Sequence, residues 1–266
     1  MSNIDAVNEL LTAIHFDRFA EIEARHNPDA TFQSFRGPNL ADSVSISDWH
    51  RDFLKDYADC NYGELEYIES GETVGTRATL TAKGYDWREF TQRVVEVFEF
   101  AGGGIQRRRL YGMVPNVELD KPTAAAMTAA TGFKGGSASA TKSTVETFFG
   151  AILAGDIDAA REHLDEKAAL IDSAYGIVNG PDAILAQLAA LPRPAFGAWR
   201  TTNVLAGAKD ALVELAIDPN RPRAAEWVRL VEGKIKVIET YWMFREVGIS
   251  PDFRGERHQR RAILPI

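Results

Sequence analysis

The sequence predicts an α+β protein with two similar domains, each built from three helices and an antiparallel sheet. Segments with apolar residues at helical spacing precede runs in which apolar and polar residues alternate, and this order occurs twice in the 266 residues. A stretch rich in Pro, Ala, Gly, Ser and Thr separates the two copies. We therefore expect domains at 1–114 and 143–250, a linker at 115–142 and a basic tail at 251–266.

Each half begins with two helices, and a third helix follows a short strand. In the second half Gly155 ends the first helix, Asp156 caps the next, and the Pro-Asp pair at 181–182 opens the third. In the first half we expect Ser47 and Asp48 to open the third helix. The apolar residues at helical spacing in the first two helices are Val7, Leu10, Leu11, Ile14, Phe16, Phe19 and Ile22 in the first half, and Val145, Phe148, Phe149, Ile152, Ile157, Ala160 and Leu164 in the second.

Alternating runs close each half and predict an antiparallel sheet with one buried face. The final hairpins of the two halves align without a gap, which places Glu96 over Glu226 and Tyr111 over Tyr241. The shared order of elements around these hairpins indicates an internal repeat. The predicted strands lie at 30–35, 64–68, 74–85, 92–100 and 105–114 in the first half and at 168–174, 201–205, 211–217, 224–231 and 234–244 in the second.

Composition and charge restrict the classes of partner. The chain has 45% hydrophobic and 26% charged residues, and 30 basic against 38 acidic side chains give a net charge of −8. Phosphate backbones and anionic lipids would repel such a chain, so we expect no nucleic-acid and no membrane partner. The sequence shows no basic and apolar leader and no long apolar span, which predicts a cytoplasmic protein. The single cysteine, Cys60, is expected to be a small buried hydrophobe.

The order of elements resembles the nuclear transport factor 2-like superfamily, whose enzymic members include SnoaL-like polyketide cyclases and ketosteroid isomerases. The stretches 154–160 (Ala-Gly-Asp-Ile-Asp-Ala-Ala) and 231–235 (Val-Glu-Gly-Lys-Ile) carry the resemblance most strongly. It implies two cone-shaped, cystatin-like α+β-barrel domains, in which the helices and a curved sheet enclose a mostly apolar pocket for a small molecule. It also implies that the two domains pair within one chain, and further association into a homo-oligomer stays open.

Glu96 and Glu226 are the first candidate catalytic residues. Both alternate with apolar residues along a strand, so the period of two carries their carboxyl groups towards the core. Burial raises the pKa of such a group, which suits it to acid/base chemistry near neutrality. The resemblance places here the oxyanion-hole acid of ketosteroid isomerases and a catalytic Asp of the cyclases. The alternatives are an ion pair of Glu96 with Arg107 or Arg109, and a proton shared between Glu226 and Glu239.

Asp172 is a candidate base in the second domain. It lies sixteen residues after Asp156, the interval that separates the corresponding helix start from the general base in ketosteroid isomerases. A role in capping or in a turn is the alternative. The helix tyrosine of those isomerases would fall near Phe148, which donates no hydrogen bond, so the resemblance does not support steroid isomerisation.

Two tyrosines and a histidine could assist. Tyr111 and Tyr241 occupy matching strand positions, and each could donate to a substrate oxygen or be an ordinary buried tyrosine. His50, near the start of the third helix, could act as an acid or base at the pocket mouth, or lie at the surface.

Three further residues are candidates for substrate binding. Tyr85 and Trp87 lie where a loop would cover the pocket, and they could form a lid and a wall. Arg109 is expected to point inward by parity with Tyr111, either as the partner of Glu96 or as a group that binds a substrate anion.

The remaining motifs point to chemistry without a cofactor. The sequence contains no dinucleotide-binding or phosphate-binding glycine loop, no zinc-protease motif and no serine-hydrolase elbow, and no histidines are paired at helical spacing. We therefore expect no metal and no cofactor. The leading hypothesis is an acid/base enzyme, a lyase, dehydratase or isomerase/cyclase, that acts on a small hydrophobic, aromatic or polyketide-like molecule. The alternative is a non-catalytic small-molecule-binding or assembly protein. The first domain is slightly favoured as the active one, because it keeps more polar groups suited to a pocket.

Overall fold

The chain divides into two compact units, Met1–Pro115 (unit 1) and Asn116–Ile266 (unit 2). The structure is a computed structural model. It describes residues 2–84, 89–113, 136–172, 176–190, 199–218 and 221–244. Tyr85, Trp87, most of the predicted linker and the basic tail lie outside these residues.

The described residues of unit 1 form three helices and a sheet, which confirms the predicted α+β class. Strands β2, β3, β4 and β5 pair in that order and are antiparallel, and β1 runs parallel to β5. The elements are α1 (Asn3–His15), α2 (Phe19–Arg25), β1 (His26–Ser34), α3 (Ser43–Asp56), β2 (Tyr57–Ser70), β3 (Thr73–Gly84), β4 (Glu89–Ala101) and β5 (Gly104–Gly112).

Helix α3 begins earlier than the sequence analysis predicted. Its N-cap is Asp42, whose carboxylate accepts a hydrogen bond from the backbone N–H of Ser45 at 2.7 Å. The expected start at Ser47 and Asp48 was wrong, because the cap that satisfies the free N–H groups of the first turn lies one turn upstream. With this earlier start His50 lies in the middle of α3.

Unit 2, where the structure describes it, repeats this order with one additional strand. Strands β8, β9, β10 and β11 pair in that order and are antiparallel, β6 runs parallel to β11, and the short β7 pairs with β6. The elements are α4 (Ala138–Ala154), α5 (Ile157–Arg161), β6 (Leu164–Asp172), β7 (Gly176–Asn179), α6 (Pro181–Ala190), β8 (Arg200–Ala206), β9 (Asp210–Asp218), β10 (Arg221–Val231) and β11 (Lys234–Trp242).

The ends of the first two helices of unit 2 follow ordinary capping rules. Helix α4 starts within the predicted linker, because Ser137 accepts a hydrogen bond from the backbone N–H of Ala140 at 3.1 Å. Gly155 ends α4 in the left-handed conformation, with φ of 77°. Asp156 then caps α5 by accepting from the N–H of Ala159 at 3.1 Å. The Gly-Asp junction thus turns the chain between the two helices as the sequence predicted.

Each unit buries an apolar core between its helices and one face of its sheet. In unit 1 Leu10, Ile22 and Phe32 are fully buried, and in unit 2 Phe148 and Val228 are fully buried. Burial of each such side chain contributes about 1.5–3 kcal/mol. Among the residues that the structure describes, no helix combines the length and the apolar character that a membrane span requires.

Candidate functional site

A one-residue bulge in the last strand of each unit decides which side chains enter the interior. In unit 1 Phe100 pairs with Ile105 but Glu99 pairs with Arg107, so Gln106 is the extra residue. In unit 2 the same irregularity leaves out Lys236. Such a bulge moves every following residue of the strand to the opposite face relative to an unbroken hairpin.

The bulge in unit 1 brings Arg108, not Arg109, to the face that carries Glu96. Phe98 pairs with Arg108 and Glu96 pairs with Leu110, so these four side chains share one face of the sheet. The expectation that Arg109 points inward beside Glu96 was therefore wrong.

Arg109 and Tyr111 lie on the other face of the sheet. Arg109 Nη2 donates to Glu99 Oε1 at 2.6 Å, and Tyr111 pairs with Val95 and is fully buried. Neither side chain lies on the face that carries Glu96, so the structure does not support their predicted roles at a site shared with Glu96.

Glu96 forms a buried ion pair. Arg108 Nε donates to Glu96 Oε2 at 2.7 Å, and the two side chains are 0% and 1% exposed. The guanidinium also lies over the rings of Phe32 and Phe98, at 4.7 and 5.5 Å from their centroids. Removing one member of such a pair is strongly unfavourable, so Glu96 serves as the counter-ion of Arg108. This is the ion-pair alternative of the sequence analysis, with a different arginine.

His50 is in the interior and not at a pocket mouth or at the surface. It is 2% exposed in the middle of α3, and Arg108 Nη1 lies 2.7 Å from its Nε2. Burial, followed by the charges of Arg108 and His26, holds the pKa of His50 well below its ordinary value of 6.5. The imidazole is therefore neutral at physiological pH.

A small cavity adjoins this cluster. It has a volume of about 10 Å³ and is lined mainly by apolar side chains, which leaves room for about one water molecule. His50, Trp49, Phe53, Cys60 and Tyr62 are among its lining residues. Burial raises the pKa of the Cys60 thiol to about 12, so this cysteine is inert, as expected.

Tyr62 is a cavity residue that the sequence analysis did not identify. Burial, with a further contribution from Glu96, raises the pKa of its hydroxyl well above 10. It lies on β2 but before the predicted start of that strand, in a stretch where apolar and polar residues do not alternate.

In unit 2 the bulge brings Glu226 together with Asp172. Glu226 pairs with Thr240 across β10 and β11, and Thr240 pairs with Asp172 across β11 and β6, so the three side chains share one face. The Thr240 hydroxyl donates to Glu226 Oε2 at 2.8 Å. The Trp242 indole N–H donates to Asp172 Oδ1 at 3.3 Å. Asp172 and Glu226 are 5% and 8% exposed.

The electrostatic environment of Glu226 differs from that of Glu96. Burial raises the pKa of Glu226 well above 4.5, and the charge of Asp172 raises it further, against the opposing hydrogen bond from Thr240. None of the ion pairs formed within the described part of the chain includes Glu226. The surroundings thus favour the protonated form of Glu226, which shares a face of the sheet with a second carboxyl group, that of Asp172.

Glu239 and Tyr241 face away from this pair. They share the opposite face of β11, with Trp227 and Ala225 as their partners on β10, and the Tyr241 hydroxyl donates to Glu239 Oε2 at 2.8 Å. The expectation that Glu239 is the carboxyl neighbour of Glu226 was wrong because the bulge in β11 exchanges the two faces of the strand, as the bulge in β5 does for Arg109. The bulge replaces Glu239 with Thr240 on the inner face, and Asp172 is the acidic neighbour.

One position explains why the two inner glutamates differ. Arg108 pairs with Phe98, two residues after Glu96, and Ile238 pairs with Val228, two residues after Glu226. Arg108 and Ile238 therefore occupy equivalent places diagonal to the two carboxyl groups. Unit 1 has a guanidinium there, and unit 2 has an aliphatic side chain.

Two tryptophans complete the surroundings of the carboxyl pair. Trp199 and Trp242 are partly exposed, and their rings meet edge to face, with centroids 6.4 Å apart. Both pack against the apolar core of unit 2, which includes Leu170 and Val228. The sequence analysis missed them, although Trp242 has the same strand parity as Thr240. Within the described ranges, no group of three or more His, Cys, Asp or Glu residues could hold a metal ion.

Comparisons with known proteins find similarity at the level of structure. No family model matches the sequence, and the comparison with curated proteins finds no match. One similar structure is a protein of unknown function from Burkholderia pseudomallei that is described as NTF2-like, with 22% identity and a TM-score of 0.40 over 42% of this chain and 92% of that chain. A putative polyketide cyclase from Pseudomonas putida has 12% identity and a TM-score of 0.40, over 44% and 94%.

A third similar structure is a hypothetical protein with a ketosteroid isomerase-like fold from Catenulispora acidiphila, in complex with trimethylamine. It has 14% identity and a TM-score of 0.38, over 40% of this chain and 83% of that chain. These three structures are described, respectively, as NTF2-like, as a putative polyketide cyclase and as having a ketosteroid isomerase-like fold. At these identities and scores the comparisons transfer no activity, substrate or site to this chain.

Proposed function

We propose that the protein is a cofactor-independent acid/base enzyme, a lyase, dehydratase or isomerase/cyclase, in which Asp172 and Glu226 transfer the proton. One observation carries this proposal: the Glu226 carboxyl lies beside Asp172 in an apolar interior, without a cationic partner among the described residues. Pairs of titratable groups whose surroundings separate their pKa values are typical of acid/base sites.

The surroundings suggest a different role for each carboxyl group. Glu226 keeps its proton above its ordinary pKa and is suited to act as the general acid. Asp172 lies on the same face of the sheet and accepts the Trp242 indole N–H, so we assign it the role of the base. Positioned acid/base groups of this kind contribute about 10²- to 10⁴-fold to a rate.

The side chains around the pair favour a hydrophobic substrate. Trp199 and Trp242 offer partly exposed aromatic surface beside Asp172, and the neighbouring core is aliphatic. Aromatic rings bind flat apolar molecules well. We therefore keep a small aromatic or polyketide-like molecule as the substrate class. This assigns the activity to unit 2, whereas the polar residues of the first half had favoured unit 1.

The test is a ligand screen followed by turnover measurements. Thermal unfolding of the wild type, Asp172→Asn and Glu226→Gln is measured against a panel of phenolic, terpenoid and polyketide-like compounds. A compound that stabilises the wild type should still stabilise Glu226→Gln, while its turnover falls by about 10²-fold or more. Glu239→Gln is the matched control, since it changes a carboxyl group on the opposite face of the sheet, and it should keep turnover. Unchanged turnover in both Asp172→Asn and Glu226→Gln would refute the assignment.

A second candidate is a non-catalytic binding or assembly protein, and the interior of unit 1 favours it. There the inner glutamate is neutralised by Arg108, and the adjoining cavity has a volume of only about 10 Å³. If no compound of the panel shifts the unfolding temperature, and Glu226→Gln changes stability alone, this candidate replaces the enzyme.

A further inference from the structure

Thr240 lies at the centre of the row of side chains that contains the two carboxyl groups of unit 2. It pairs with Glu226 on β10 and with Asp172 on β6, and it is 3% exposed. Neighbouring strands lie about 4.8 Å apart, so the backbones of Glu226 and Asp172 are roughly 10 Å apart, with Thr240 between them. The side chain of Thr240 therefore lies between those of the two acid/base residues.

The equivalent row of unit 1 indicates that the packing of this fold does not require a threonine at that position. There Glu96 pairs with Leu110, and Leu110 pairs with Ser34. Leu110 thus occupies the place of Thr240, and Ser34 occupies the place of Asp172. A buried hydroxyl is unfavourable unless it is hydrogen-bonded, so an aliphatic side chain is the simpler solution for a core position. The threonine and the aspartate occur together in the unit that has the acid/base pair.

The hydrogen bond of Thr240 distinguishes the two oxygens of the Glu226 carboxyl group. Thr240 Oγ1 donates to Glu226 Oε2 at 2.8 Å. In a protonated carboxyl group one oxygen carries the hydrogen and the other accepts, and a hydroxyl that donates to Oε2 makes Oε2 the acceptor. Because the surroundings favour the protonated form of Glu226, the position left for its proton is Oε1.

We propose that Thr240 is a positioning residue for Glu226: it holds Oε2, keeps the proton on Oε1, and stabilises the carboxylate that remains when the proton has left. This inference rests on the proposed function, in which Glu226 is the acid. In that step the Oε1–H bond breaks, the proton goes to the substrate, and the electron pair stays on Glu226. A hydroxyl donates more strongly to the resulting carboxylate than to a neutral acid.

The groups that face Glu226 determine what a titration of this residue measures. Burial raises the pKa of Glu226, the Thr240 hydroxyl lowers it, and the charge of Asp172 raises it. The partner of Glu226 on β9 is Val213, which is uncharged, and the core side chains that the helices of unit 2 contribute are apolar. Loss of the Thr240 hydroxyl should therefore raise the pKa of Glu226.

The test is a titration of Glu226 in the full chain, labelled with ¹³C at the side-chain carboxyl groups of glutamate. The Glu226 signal is assigned by its absence from Glu226→Gln. Thr240→Val keeps the branched shape and loses the hydroxyl, and it should raise the titration midpoint by about one pH unit, a tenfold increase in proton affinity. Thr240→Ser keeps the hydroxyl and should stay near the wild type. Equal midpoints in Thr240→Val and the wild type would overturn the proposal.

Thr141→Val is the matched control, because it removes another buried hydroxyl of unit 2, which donates to the carbonyl oxygen of Ala208 at 3.0 Å. It should leave the Glu226 midpoint unchanged, and a rise as large as that in Thr240→Val would overturn the proposal. If Thr240→Val does not fold, the wild type provides the measurement. Its Thr240 hydroxyl proton should exchange slowly with water, and its resonance should move as Glu226 titrates. A hydroxyl proton that exchanges rapidly, or a resonance that does not respond, would refute the role of Thr240.

Turnover separates this inference from the proposed function. For a compound that the wild type converts, Thr240→Val should lower kcat by roughly tenfold at an unchanged KM, and Thr240→Ser should retain most of kcat. An unchanged midpoint in an enzyme whose turnover requires Glu226 refutes the role of Thr240 alone. A raised midpoint in a chain without turnover refutes the proposed function, and with it the catalytic use of the hydrogen bond.

Discussion

Substitution of Glu226 by glutamine should stabilise the protein increasingly as the pH rises. The folded state keeps the Glu226 proton at pH values at which the unfolded chain, with an ordinary carboxyl pKa of 4.5, has released it. The folded state thus binds more protons than the unfolded state, and the free energy of unfolding of the wild type falls as the pH rises above about 4.5. The loss is about 1.4 kcal/mol for each pH unit until the pH passes the raised pKa of the folded state. Glutamine has no proton to lose, so the variant escapes this loss.

Urea unfolding of both proteins at a series of pH values from 5 to 8 measures the effect. With ordinary denaturant slopes, the midpoint of the variant should move by roughly 0.5–1.4 M urea relative to the wild type for each pH unit. Glu166→Gln is a matched control, because this side chain is 78% exposed, and its difference from the wild type should stay nearly constant. A difference for Glu226→Gln that is flat, or that shrinks as the pH rises, would refute the inference that Glu226 is protonated in the folded state.

Three further changes have expected outcomes that urea unfolding can check. Arg108→Met leaves the Glu96 carboxylate buried and alone, and should lower the free energy of unfolding by about 3–5 kcal/mol. Adding Glu96→Leu should restore most of this loss, and a double variant as unstable as the single one would contradict the ion pair. His26 has a pKa of about 4 in the folded state, against an ordinary value of 6.5. Between these pH values the unfolded state binds the extra proton, so the free energy of unfolding falls as the pH drops from 6.5 towards 4, by roughly 3 kcal/mol in total. His26→Gln should remove that dependence, and an unchanged pH profile would count against a buried neutral ring. Asp156→Ala should cost about 1 kcal/mol through the lost N-cap of α5, whereas Asp156→Asn should stay near the wild type; equal losses in both would exclude the capping explanation.

The sequence was sufficient to predict the order of elements except for the short strand β7, which was missed. The last hairpin of unit 2, predicted at 224–231 and 234–244, is observed at Arg221–Val231 and Lys234–Trp242. The prediction succeeded because alternating side chains flank a tight turn in which Glu232 and Gly233 both have positive φ. The prediction of the start of α3 failed because polar and apolar residues alternate in its first turn, Ser43-Val44-Ser45-Ile46, and such alternation is not the helical apolar spacing on which the prediction relied.

The sequence predicted part of the candidate site, and the one-residue bulge in the last strand of each unit prevented prediction of the rest. Alternation along single strands was enough to send Glu96 and Glu226 inward. Neighbours on the adjacent strand depend on register, and a bulge of one residue reverses the register without any change in hydrophobic pattern. The run of three arginines at 107–109 offers a guanidinium in every register, so nothing in its composition marks Arg108 as the inner one. Asp172 was found through the interval to Asp156, a distance along the chain that bulges on β11 do not alter.

The equivalence of Arg108 and Ile238 has a consequence for how such a chain can change over time. Two interiors with the same strand layout give their inner glutamates different surroundings, an ion pair in unit 1 and an aliphatic neighbour in unit 2, and the side chain at a single diagonal position makes this difference. A substitution outside the glutamate itself could therefore give one carboxyl group an ion-pair partner, or remove the partner of the other. Each unit could change in this way without affecting the other, because the residue at the diagonal position, Arg108 or Ile238, belongs to one unit alone.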